Sequence, residues 1–154
     1  MEYRESVQVH GAWTFIWTDM DGRERLRQDH NLVVNTGLYA IAAMLTGEIE
    51  QDCAVYLGMG TGTAAANSTD IKLVTETIRK IVTTKTRSGA TLVYRFYFLT
   101  SEAIGDYTEW GVFWEGTTAL ESGRLINRLV PVGGVSKNAS ENLTVEVKLT
   151  LAAA

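Results

Sequence analysis

Apolar and polar residues alternate with a period of two along much of this chain, and that pattern constrains the fold more than any other feature. The cleanest run lies near the C-terminus, where Leu143, Val145, Val147, Leu149 and Leu151 alternate with Thr144, Glu146, Lys148 and Thr150. Successive side chains of a strand point to opposite sides, so this run reads as a strand with one buried and one wet face. Trp13, Phe15 and Trp17 alternate with Thr14, Ile16 and Thr18; Asp19-Met20-Asp21-Gly22 then gives a hairpin turn, and Arg23 to Arg27 the return arm. In Ala90–Thr100, Leu92, Tyr94, Phe96 and Phe98 share one face, while Thr91, Val93, Arg95, Tyr97 and Leu99 share the other. Both faces are largely apolar, which asks for burial on both sides or for burial plus an interface. Thr75–Arg87 reads as the long partner of that strand across Arg87-Ser88-Gly89, and Cys53–Leu57, Thr108–Trp114 and Gly123–Val130 supply further strands.

Turn chemistry agrees. The chain has 14 glycines and a single proline, Pro131, so its turns are made by Gly, Asn and Asp, as in hairpin-rich β proteins. One helix is expected at about residues 36–46: Asn35 or Thr36 can cap it, Leu38, Ile41, Ala42 and Leu45 recur at helical spacing, and Gly47 ends it. The fold class that follows is mainly β, an antiparallel β-sandwich or barrel-like domain with about eight strands and one short helix. Residues 1–29 read as an N-terminal β-hairpin or arm and residues 30–154 as the β-rich domain, with Ala152–Ala154 as a frayed tail.

Charge and reactive residues restrict the function. The net charge of −4 argues against a general nucleic-acid binder, which needs a basic face. The charged N-terminus has no apolar core of a secretory signal, and the longest helix-like apolar stretch, Leu38–Leu45, is too short to cross a bilayer. Neither nucleic acid nor membrane is therefore expected as a partner, and synthesis in the cytoplasm is. Cys53 is the only cysteine, and His10 and His30 the only histidines, without a second ligand at metal spacing. Gly58, Gly60 and Gly62 lack the Lys and the βαβ setting of a phosphate loop and read as a structural turn, with positive φ at one glycine or more. No cofactor, metal or catalytic residue is expected.

Two groups of residues stand out as architecture. Glu76 with Arg79, and Glu109 with Arg128, interrupt apolar strands, where an unpaired charge would be costly; they are expected to form structural ion pairs. Trp13, Phe15, Trp17, Tyr97, Trp110 and Trp114 form a large aromatic set for one small chain, suited to a core, a subunit interface or a sugar-stacking platform, and they are the candidate interface.

The order of the motifs carries a resemblance. Asn31, Asn35, Gly37 and Leu38 lead into the helix; Gly58, Gly60 and Thr61 end a strand; Thr75, Glu76 and Arg79 follow; then come Glu109, Gly111, Val112 and Phe113, and finally Leu125 and Arg128. Over about residues 28 to 151 this relay resembles small structural proteins and fibre-associated modules of tailed bacteriophages. The resemblance implies a non-enzymatic virion component, a tail or tail-fibre-associated module, that self-assembles as a homo-oligomer (a trimer) and contacts other virion proteins. A capsid decoration protein is the alternative, and a carbohydrate- or receptor-binding module or a small hydrolase the more distant ones. The aromatic N-terminal hairpin departs from the relay and is the expected attachment arm.

Overall fold

The computed structural model describes residues 6–154. Its elements are β1 (Val7–Asp19), β2 (Glu24–Val33), α1 (Asn35–Leu45), β3 (Val55–Gly60), β4 (Glu76–Ile81), β5 (Thr84–Ser88), β6 (Thr91–Phe98), β7 (Gly105–Tyr107), β8 (Glu109–Trp114), β9 (Arg124–Leu129), β10 (Val135–Lys137) and β11 (Glu141–Ala153). The protein is mainly β with one short helix. Nine strands form one curled antiparallel sheet in the order β4-β3-β8-β9-β2-β1-β11-β6-β5, and β7 pairs with β10 in a second, small sheet.

Two bends curl the large sheet into a sandwich. β2 pairs with β1 from Glu24 to Asn31, and its last two residues, Leu32 and Val33, pair instead with Arg128 and Asn127 of β9. On the far side, the two edge strands β4 and β5 follow each other in the chain, joined only by Val82 and Thr83. The Val82 amide donates to the Val55 carbonyl at 2.9 Å and the Thr83 amide to the Arg95 carbonyl at 2.8 Å. One bent strand thus steps from β3 to β6. Thr75–Arg87, expected as a single long strand, is divided at that step because its two halves serve opposite sides of the sandwich.

The N-terminal hairpin is not set apart from the rest. β1 lies inside the sheet, paired along its thirteen residues with β11 and along its other edge with β2. β2 runs straight through the expected boundary between residues 29 and 30. The hairpin turn forms at Asp19–Arg23, where the Asp19 carboxylate accepts from the Asp21 and Arg23 amides, both at 2.9 Å, and Gly22 takes a φ of 78°. The Ala152–Ala153 tail is paired rather than frayed, Ala153 standing opposite Val7. Residues 1–5 of the expected arm lie outside the described residues.

The helix forms where expected but turns a different face inward. α1 follows Val34, and neither Asn35 nor Thr36 caps it through a side chain; the Thr36 hydroxyl donates instead to the Leu125 carbonyl of β9 at 2.7 Å. Its buried residues are Gly37, Ala40 and Ala43, while Leu38 and Leu45 of the expected stripe are exposed. Small residues win the inner face because the helix lies close on β9: a Cβ at Gly37 would run into the Ile126 carbonyl.

The interior is an aromatic core. Trp13, Phe15 and Trp17 point inward from β1, and Phe15 meets Trp110 of β8 edge-on at 5.0 Å between ring centroids. The Trp13 indole N–H donates to Asn31 Oδ1 at 2.9 Å and that of Trp17 to the Ser136 carbonyl at 2.8 Å, so both polar handles are satisfied. Tyr94, Phe96 and Phe98 extend the same wall from β6, beyond β11.

Burial pushes the Tyr94 phenol up to about 12 from 10.0. The unfolded chain then loses this proton first as pH rises, so folded protein holds more protons between about pH 10 and 12 and stability falls across that window. At about pH 11 the term amounts to about 1 kcal/mol. Urea unfolding of wild type and Tyr94→Phe at about pH 9 and pH 11 checks it. The wild type is expected to lose about 1 kcal/mol more than the variant, and equal losses would refute the assignment.

Candidate functional site

The outer face of the β4-β3-β8-β9 part of the sheet carries a second layer, made from loops rather than strands, and charged side chains hold it in place. Glu109 on β8 is fully buried, yet both its oxygens are saturated. Oε1 accepts from the amides of Gly62 at 3.0 Å and Thr75 at 2.6 Å; Oε2 accepts from the Val74 amide and from Arg128 Nη2, each at 2.9 Å. Arg128 on β9 is also buried. Its Nη2 donates to the Ala64 carbonyl at 2.9 Å, and its Nη1 to the Ala65 carbonyl at 3.2 Å and Asp70 Oδ2 at 2.9 Å. One ion pair therefore clasps both ends and the middle of the 61–75 loop.

A second pair lies beside it. Glu76 and Arg79, three residues apart on β4, are buried together, and the guanidinium lies 4.3 Å from the centre of the Phe113 ring. Arg79 Nη1 donates to Ser122 Oγ at 2.7 Å and the Thr117 carbonyl at 3.1 Å, while Glu76 Oε2 accepts from the Glu121 amide at 2.6 Å. This pair holds the 115–123 loop as Glu109 and Arg128 hold the 61–75 loop. Between the pairs sits a small apolar cluster of Val34, Leu73, Phe113 and Leu125. β8 is buried at all six residues because core covers one face and the loop layer the other.

The glycine row explains how charges fit there. The expected turn is a correction: Gly58 and Gly60 lie in strand β3, with Gly62 just beyond it. None of the three has positive φ. What they supply is the absence of a Cβ. A Cβ on Gly58 would meet Glu76 Oε1 at 2.6 Å, one on Gly62 would meet Glu109 Oε1 at 2.5 Å, and one on Gly60 would drive into the Thr75 carbonyl. Gly58 pairs directly with Gly111, so the trough crosses two strands.

Most of the aromatic set is placed differently from the interface reading. Trp13, Phe15, Trp17, Trp110 and Trp114 are buried within the chain itself, so none offers a ring to a partner or a sugar. Only Tyr97, on the outer face of β6, stays exposed. Alternation reports that one strand face is buried but not whether the same chain buries it. Asp70, which completes the Arg128 cluster, was not among the residues singled out from sequence, since nothing local links it to a partner 58 residues away.

Chemically, this arrangement fixes backbone. The lone pairs of Glu109 are committed to four donors, leaving no free base at that carboxylate. Among the described residues no group of three or more His, Cys, Asp or Glu could hold a metal ion, and no helix is long and apolar enough to cross a membrane. No protein-family model matches the chain, and neither the curated proteins nor the solved structures yield a match.

Two substitutions test the clasp. Glu109→Gln removes the fully buried carboxylate of the pair, leaving Arg128 only the partly exposed Asp70, and is expected to cost about 3–5 kcal/mol in urea unfolding. It should also speed hydrogen exchange at the Gly62, Val74 and Thr75 amides. Gly60→Ala is expected to cost about 1–3 kcal/mol through crowding against Thr75 rather than through φ. Gly22→Ala, strained by φ but with open space around it, separates the two mechanisms.

Proposed function

We propose that this chain is a non-enzymatic structural component of a tailed bacteriophage virion, a tail or tail-fibre-associated module. One observation carries the reading: seven residues of the motif relay share one architectural task. Gly58, Gly60, Gly111, Glu76, Arg79, Glu109 and Arg128 converge on one layer, where they fix two long loops against a sheet. A chain whose charged residues are committed to shaping its own surface suits a building block better than a reaction centre. The buried tryptophans weigh against the sugar-binding alternative, which needs exposed rings.

Within this proposal the protein acts in the virion after synthesis in the host cytoplasm, and it self-associates, as a trimer, and meets other virion proteins through surfaces outside the aromatic core. The exposed Tyr97 on β6 with Leu99 just after it, and Leu38 and Tyr39 on α1, are among the apolar side chains available for that. The β1–β2 hairpin does not serve as a free arm in this version of the proposal, because its rings fill the core. The alternative placement, capsid decoration, rests on the same features, a short and strand-rich chain.

Immunogold labelling of purified particles with an antibody to this chain tests the reading. Label confined to the tail is expected; label over the head would favour decoration, and particles free of label would overturn the virion assignment. Light scattering of the purified chain is expected to give three times the 17.0 kDa of one copy, and a monomer would remove the trimer from the proposal.

A further inference from the structure

We infer that β5 is a docking edge for an extended acidic segment of another protein, which adds to the large sheet as a further strand. β5 ends the strand order, and among the described residues it pairs only with β6. All five of its residues are exposed. It carries neither bulge nor proline, so its outer row of backbone groups is a regular template for pairing.

The side chains specify what would pair. Lys85 and Arg87 stand opposite Tyr94 and Leu92 of β6, on the face that turns toward the sandwich interior, while Thr84, Thr86 and Ser88 alternate on the other face. Lys85 and Arg87 line a concavity of about 600 Å³ whose floor includes Met44, Leu45, Cys53 and Tyr94. Neither cation is held by a buried acid. Lys85 reaches Asp52 at 3.1 Å, but Asp52 is fully exposed, and such a pair is weak. Arg87 donates to the Gly89 carbonyl at 2.8 Å. A strand laid against β5 would place every second side chain beside these two cations and over the concavity, and the intervening ones beside the threonines. Carboxylates at alternate positions, separated by β-branched residues, complement both rows. The same cations repel a second copy of β5, so the edge discriminates against self-pairing. The inference does not depend on the virion assignment.

The test uses the full chain and the peptide VEVEVEV-amide, carrying fluorescein on its N-terminus through a Gly-Gly spacer, followed by fluorescence anisotropy. Saturable binding that weakens with added salt is expected, with the basic peptide VKVKVKV-amide, labelled in the same way, binding at least roughly tenfold more weakly. The double variant Lys85→Glu with Arg87→Glu should reverse that preference. Arg87→Pro, which removes an outward-facing backbone donor together with one cation, should abolish binding while circular dichroism reports whether the fold is kept; if it is lost, the charge-reversal variant alone decides. Absence of binding, or equal binding of both peptides with no response to charge reversal, would overturn the inference, whatever the labelled particles show.

Discussion

The outer half of this structure depends on one buried carboxylate. Glu109 is fully buried, and four donors surround its carboxylate, three of them backbone amides of a single loop. Burying an ionised carboxylate without such partners would cost several kcal/mol. The dependence runs both ways. The 61–75 loop contains no helix or strand of its own, and its exposed apolar residues, Ile71 and Val74, contribute little burial. Its conformation is set by Glu109, which holds its ends, and by Arg128, which holds Ala64, Ala65 and the loop's own Asp70. Leu73 is thereby pressed onto Phe113 and Leu125, and the small second core exists because the ion pair does.

That requirement reaches back into the strand sequence. A strand under a layer of buried charge would ordinarily carry side chains that fill the space, and β-branched residues would suit it best. β3 instead has glycine at alternate positions, an otherwise unfavourable choice for a strand interior. The cost is offset because Glu76 and Glu109 occupy the volume those side chains would take. The inner face of the same strand keeps Val55, Leu57 and Met59 for the aromatic core. Alternation thus survives in β3, but as an apolar-to-empty pattern rather than an apolar-to-polar one.

The sequence was most legible where a strand has one wet face. β11 alternates cleanly, and the structure places Leu143, Val145, Val147 and Leu149 inside with Thr144, Glu146 and Lys148 outside. The Asp-Gly hairpin was equally legible, since its turn is determined by four local residues. Three features were not, each for a physical reason. Glycine at alternate positions has the composition of a turn, and only the long-range partners of β3 reveal a close approach. The α1 stripe was displaced because leucine signals burial in general, whereas here the distance to β9 admits only Gly37, Ala40 and Ala43. The tryptophans in β1 and β8 were legible as sharing a strand face, but not as filling the core of their own chain. Their mutual contact required the order of strands in the sheet, which periodicity does not encode.

The same strand order decides where the molecule can meet others. With β1 at the centre and the aromatic rings turned inward, the largest apolar surface is spent within one chain. What remains outside is scattered: single residues such as Met20, Val132 and Leu45, and a helix face of Leu38 and Tyr39. Isolated apolar residues of this kind are ordinary on a folded surface. Backbone is different. The step at Val82–Thr83 curls the sheet but does not supply β5 with a second neighbour, since the bent strand spends its hydrogen bonds on β3 and then on β6. The geometry that closes the core therefore leaves an edge, and the basic residues on that edge determine which strands it can accept.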